Sequence, residues 1–147
     1  MKDKERLTLE NQLCFPIYAC SREIIKAYRP YLERLDLTYT QYIVMLVLWE
    51  KQRLGVKELG ELLYLDSGTL TPLLKKMEAK GYLQRERCTK DERCLLVSLT
   101  PAGKQLRQQA LDVPQCMGCK VPLTEEEAKL LYGLLYKILR ELQSKEE

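Results

Sequence analysis

The residues of this 147-residue sequence that carry covalent chemistry are its six cysteines, because it holds no histidine. Without imidazole there is no Ser-His-Asp or Cys-His catalysis, and the commonest zinc ligand is missing. A thiol acts as a nucleophile only as thiolate, which helix N-termini and nearby donors favour. Cys14, in NQLCFPIYAC, meets those conditions best. Pro16 in that stretch reads as a helix start, which would leave Cys14 just before it, near the positive end of the helix dipole. The plain alternative is a buried filler cysteine. Cys20, Cys88 and Cys94 fit that role, or a pairing of Cys88 with Cys94 across a hairpin.

A second pair, Cys116 and Cys119, stands in CMGC. No strand–CxxC–helix context surrounds it, so a thioredoxin-like motif does not fit. A structural zinc site would need two further ligands, with Cys88 and Cys94 as the available ones. We expect no metal and no cofactor.

These thiols must be positioned by helices. Leu9, Leu13, Ile17, Cys20, Ile24 and Tyr28 recur at three- or four-residue steps, predicting a helix over about 9–29 that Pro30 breaks or kinks. TYTQYIVMLVLWEKQ predicts a deeply buried helix capped by Thr38 or Thr40. Val56, Leu59, Leu62 and Leu63 line a short helix. YLDSG is a tight break with Asp66 or Ser67 as cap. Leu70, Leu73, Leu74 and Met77 line another helix, stopped by Gly81. YLQRERC and CLLVSLT flank the polar turn TKDER as a β-hairpin. Thr100 then caps a helix opened by Pro101. DVPQCMGCKVP reads as a loop. Thr124 and Glu127 form a capping box before a stripe of Leu130, Leu131, Leu134, Leu135, Ile138, Leu139 and Leu142. That stripe requires a cover, either its own core or a second copy of the chain.

Two short helices, a tight turn and a hairpin make a winged helix-turn-helix. The second helix fits the major groove of double-stranded DNA and offers its N-terminal residues to the bases. Asp66, Ser67, Gly68, Thr69 and Thr71 stand there, with Lys75 and Lys76 following. The hairpin tip is expected to carry Arg85, Arg87, Lys90 and Arg93, a local basic patch on a chain of net charge only +3. An arginine at such a tip can enter the minor groove. The bland reading is a packing unit with solvated lysines.

The segment LDSGTLTPLLKKMEAKGYLQRERCTKDERCLLVSLTPAG resembles the DNA-binding lobe of the MarR family, above all in Asp91 and Arg93 of its wing. The resemblance implies that Asp91 orients the wing and Arg93 contacts the minor groove. It implies a mainly α fold with a small β-hairpin wing. It also implies an obligate homodimer with interlaced N- and C-terminal helices, bound to a pseudo-palindromic operator. Residues 1–40 and 110–147 would dimerise, and about 41–105 would form the DNA lobe. LENQLCFPIYACSREIIKAYRPYLERLDLTYTQYIVMLVLWE is similar to the organic hydroperoxide sensor (OhrR-type) branch, over about residues 9–105. That likeness implies that Cys14 is oxidised by organic hydroperoxides, that Tyr28 and Tyr39 hydrogen-bond it, and that oxidation ends repression. It further implies a resolving cysteine in the C-terminal half, Cys119 or Cys116, with Cys119 favoured by position. The family pattern has an aliphatic residue where Pro16 stands.

Cys14 and Tyr28 lie near four helical turns apart, too far to touch on one straight helix. Contact would have to come from the dimer or from a chain reversal at Pro30. The polar N-terminus is no signal peptide, and no apolar run approaches the roughly 20 residues that span a bilayer. A cytoplasmic regulator, not an enzyme, is therefore expected. Two other functions remain open: a MarR-type repressor released by a small aromatic or phenolic ligand, and a thiol peroxidase.

Overall fold

A computed structural model describes residues 2–145, with the side chains of residues 91–93 outside the description. The chain divides into two compact units, Met1–Pro114 and Gln115–Glu147.

In the first unit, a short α1 (Asp3–Arg6) and a 3-10 turn precede α2 (Cys14–Glu33). The long helix begins at Cys14 itself, not at Pro16. Pro16 is its third residue, where the backbone N–H has no intrahelical acceptor to lose. Pro30 does not break the helix, which runs on to Glu33. Its missing N–H forfeits the one bond that would reach the carbonyl of Lys26, and the helix continues past it. Leu32 is the one residue of α2 that is buried.

Helix α3 (Tyr39–Lys51) starts at Thr38, whose side chain accepts from the Gln41 N–H while Gln41 returns a bond to the Thr38 N–H. Val44, Met45 and Leu48 have no exposed surface. This helix is the spine of the core, as its nearly continuous apolar run requires. The strand β1 (Arg53–Gly55) follows, then α4 (Val56–Leu63) and α5 (Ser67–Ala79). Leu59 of α4 and Leu70, Leu74 and Met77 of α5 join the core of α3. Leu62, expected on the buried face of α4, is exposed.

The turn between α4 and α5 is tight. A Cβ on Gly60 would stand 2.7 Å from the Leu65 carbonyl oxygen, so only glycine lets the turn close. Helix α5 ends as expected. Gly81 has φ of 86°, its N–H bonds the Glu78 carbonyl, and Tyr82 N–H bonds that of Met77. This is a Schellman stop, whose left-handed residue glycine adopts without strain.

The hairpin forms β2 (Leu83–Cys88) and β3 (Asp91–Leu99), with Thr89 and Lys90 at its turn. The sheet order is β1-β3-β2, antiparallel throughout. The strand β1 has no counterpart in the sequence reading. It is only Arg53–Gly55, too short for an alternating pattern, and it exists because Leu54 pairs with Val97 over the core. Thr100 caps α6 (Pro101–Ala110), accepting from the Gly103 N–H at 3.1 Å.

Residues 113–118, read as loop, form α7 (Val113–Gly118). Pro114 falls in its first turn, where proline favours a helix. In the second unit, Thr124 and Glu127 make the expected capping box for α8 (Glu125–Ser144). No residue of α8 is buried, and Leu130, Leu134 and Leu142 are at least half exposed. Among the described residues, no helix is long and apolar enough to cross a membrane.

Leu74→Ala should lower unfolding stability by about 2–5 kcal/mol, because Leu74 is 1% exposed within the hydrophobic core. Gln84→Ala, on the open face of β2, should stay within about 0.5 kcal/mol. Urea unfolding of the two variants measures both.

Candidate functional site

The chemistry begins at the first residue of α2. Cys14 is free and exposed at the positive end of a twenty-residue helix dipole. Leu13, Phe15, Ile17 and Tyr18 around it are exposed as well. Cys20 is a free, exposed thiol further along the same helix.

Tyr28 sits near the other end of α2. Because the helix is continuous, Cys14 and Tyr28 of one chain stand about 21 Å apart along its axis. The reversal at Pro30 that would have brought them together does not occur.

Tyr28 does meet Tyr39, at 5.0 Å between ring centroids. Tyr42, a residue the sequence reading did not single out, completes a cluster, 5.7 Å from Tyr28 and 6.4 Å from Tyr39. Burial raises the pKa of all three phenols above the ordinary tyrosine value. Tyr39 adds to this at Tyr28. At Tyr42, burial and then the neighbouring Tyr28 and Tyr39 push it up to about 12. The cluster is a set of phenols held neutral, and each keeps an O–H able to donate.

Helix α5 presents Ser67, Thr69, Thr71, Lys75 and Lys76, all exposed, while Leu70, Leu74 and Met77 turn inward. Asp66 enters as the cap that starts this helix. Its carboxylate accepts from the Thr69 N–H at 2.7 Å. That backbone bond, with Thr69's hydroxyl bond next, holds its pKa below the usual carboxylate range. The Thr71 hydroxyl donates to the Ser67 carbonyl at 2.8 Å, which leaves its lone pairs outward.

The hairpin divides its basic residues. Arg87 and Lys90 are exposed near the tip. Arg85, expected at the tip, instead lies within β2, bonded to Glu78 of α5 through Nε at 3.3 Å and Nη2 at 3.1 Å. The side chains of Asp91 and Arg93 lie outside the described residues. Cys88 and Cys94 form a disulfide across the hairpin, with Cα atoms 5.2 Å apart. In that state they cannot complete a four-cysteine zinc site with Cys116 and Cys119. The last two are free, Cys116 half-buried and Cys119 exposed.

A family model described as transcriptional regulator SarA/Rot matches residues 26–110. The organic hydroperoxide resistance transcriptional regulator of Bacillus subtilis is 48% identical over 141 residues, covering 96% of this chain and 96% of its own. The chain belongs to the MarR family of transcriptional regulators, in its organic hydroperoxide resistance branch. AbfR of Staphylococcus epidermidis, in an overoxidised form bound to DNA, is similar at a TM-score of 0.77 and 36% identity. That match covers 95% of the regulator and 98% of AbfR. A disulfide form of AbfR matches at 0.67 and 34% identity, over 95% of each chain. A mutant MarR from E. coli complexed with operator DNA matches at 0.73 and 29%, over 86% of the regulator and 93% of that chain.

Two groups of the regulator's site escaped the sequence reading. Tyr42 looked like one more apolar position of α3, since its i+3 spacing from Tyr39 serves a core helix equally well. Glu78 looked like a solvated charge. Its carboxylate also accepts from the Arg85 backbone N–H at 2.8 Å, so it fastens the wing to α5. That bond, followed by the guanidinium, depresses its pKa.

Two outcomes follow for the regulator. Glu78→Ala should cost on the order of 1 kcal/mol, and the wild-type advantage should fade as pH falls through the depressed Glu78 value. Urea midpoints of both proteins at pH 7 and pH 3 read this. At the alkaline end, the raised Tyr42 value means its contribution is complete below pH 10.0 and lost as pH rises toward about 12. Tyrosinate absorbance should show a late step in the wild type that Tyr42→Phe lacks.

Proposed function

We propose that the regulator is a homodimeric repressor whose Cys14 thiol is oxidised by organic hydroperoxide, with release of operator DNA as the result. The observation that carries this reading is the position of Cys14. It opens a helix with a bare apolar face, far along that helix from the Tyr28–Tyr39 pair. A second copy laid against α2 covers the face and brings its own tyrosine cluster toward the thiol. Phenols held neutral by burial suit that task, because each can donate to a thiolate or to the peroxide oxygen. Residues 1–40 and 110–147 supply the dimer contacts, including the stripe of α8. Residues 41–105 read double-stranded DNA, in the cytoplasm where the DNA is.

In this reading the Cys14 thiolate attacks the hydroperoxide O–O bond, an alcohol leaves, and a sulfenic acid forms. Cys119, or Cys116, of the other chain then attacks the sulfenic sulfur and water leaves. Ser67, Thr69 and Thr71 meet bases or phosphates at the head of α5, Lys75 and Lys76 follow along the groove, and Asp66 holds the helix start. Arg87 and Arg93 serve the wing, with Asp91 orienting it.

The test is a gel shift on a duplex selected with the wild-type protein from a random-sequence pool. Cumene hydroperoxide should release wild-type protein but not Cys14→Ser. Equal release of both sinks the thiol mechanism and favours a small-molecule ligand. Catalytic turnover of hydroperoxide in excess reductant would instead identify a peroxidase. Non-reducing electrophoresis after oxidation should give a covalent dimer that Cys119→Ser or Cys116→Ser abolishes. Arg93→Ala should weaken DNA binding and lower the salt slope by about one unit. An unchanged slope would show that the wing stays off the DNA.

A further inference from the structure

The wing holds a pair of cysteines that the peroxide chemistry at Cys14 does not use. The β2–β3 register runs regularly from Leu83↔Leu99 to Arg87↔Leu95. Continued by one step, it sets Cys88 directly opposite Cys94. Their Cα atoms are 5.2 Å apart, within the span of a cross-strand disulfide, and the two are joined. Beyond Arg87 the pairing shifts, and Cys88 stands against Asp91. The bond therefore sits where regular sheet gives way to the tip, at the root of Thr89–Arg93. Strand alternation turns Cys94 to the face opposite Val97, away from the core. Both cysteines are half-buried, and Arg87 and Lys90 beside them are exposed cations.

We propose that Cys88 and Cys94 are a second redox centre, a reversible dithiol–disulfide in the wing that responds to an anionic low-molecular-weight disulfide and tightens DNA binding when closed. Two thiols held face to face favour this oxidant, because the second step is intramolecular once the first has happened. One wing thiolate attacks a sulfur of the small disulfide, its S–S bond breaks, and one small thiol leaves. The other wing thiolate attacks the mixed disulfide at the protein sulfur, the wing bond forms, and the second small thiol leaves. Two electrons and two protons pass from the wing to the small disulfide, and excess small thiol reverses the sequence. Arg87 and Lys90 attract a carboxylate-bearing oxidant of this kind. Closing ties the ends of the tip, so the wing loses less conformational freedom when it docks. The regulator then has two inputs of opposite sign, peroxide at Cys14 and disulfide stress at the wing.

The experiment uses full-length protein carrying Cys14→Ser, Cys20→Ser, Cys116→Ser and Cys119→Ser, which keeps only the wing pair. It is equilibrated across ratios of reduced to oxidised glutathione. Both thiols should vanish together from alkylation, with the mass loss of two hydrogens and no covalent dimer. Affinity for the selected duplex should rise about threefold to tenfold on oxidation and return with reductant. Adding Cys88→Ser and Cys94→Ser should remove both responses. The comparison of reduced with oxidised protein stands by itself if that last variant does not fold. Thiols that remain alkylatable, bonds formed between chains, or equal affinity in the two states would each overturn the proposal. The affinity arm rests on the DNA-binding role proposed above. Loss of all DNA binding, with the thiol chemistry intact, would count against that role and remove the switch with it.

Discussion

The unbroken run of α2 from Cys14 to Glu33 is the constraint on which the functional reading depends. Helical rise separates the two ends by about 29 Å. Cys14 therefore cannot meet the Tyr28–Tyr39 pair of its own chain, and any contact between them has to cross a subunit boundary. The side chains around Cys14 are apolar and exposed, which is costly in water and removed by association. Chemistry and oligomerisation thus make the same demand of one helix. A sensor thiol buried in its own core would have no means of reporting to a partner.

The helix-turn-helix and its hairpin are built on the opposite plan. Here Tyr42, Val44, Met45 and Leu48 of α3 are enclosed, and side chains of α4, α5 and the sheet join them in one core. Gly60 lets the helix turn close, Asp66 starts α5, and the Schellman stop at Gly81 sends the chain into the wing. Glu78 then binds both the backbone and the guanidinium of Arg85. Helix α5 and the hairpin are thereby fastened in one arrangement, and a displacement of α5 carries β2 with it.

Cysteine placement follows this division. Cys14 stands on the bare helix, and Cys88 and Cys94 stand on the wing. The first is suited to change how two chains sit against each other. The pair is suited to change how one wing holds its shape.

Much of this was legible in the order of residues, because caps and stops are local. Thr38, Asp66, Gly81, Thr100 and Thr124 each act within four residues of themselves, and residue type left open only Thr38 against Thr40 and Asp66 against Ser67. The exposed hydroxyl and lysine face of α5 is equally local, as the complement of Leu70, Leu74 and Met77. What sequence could not settle depended on partners distant in the chain. Strand β1 exists through Val97, Tyr42 is a phenol of the cluster through Tyr28, and Arg85 is drawn from the tip by Glu78. Pro16 and Pro30 mark the boundary between the two kinds of information. Proline announces a break by residue type, yet its effect depends on which turn of the helix it occupies. Only the folded chain put one in the first turn, where no helical hydrogen bond is lost, and the other late in a helix that runs on past it to Glu33.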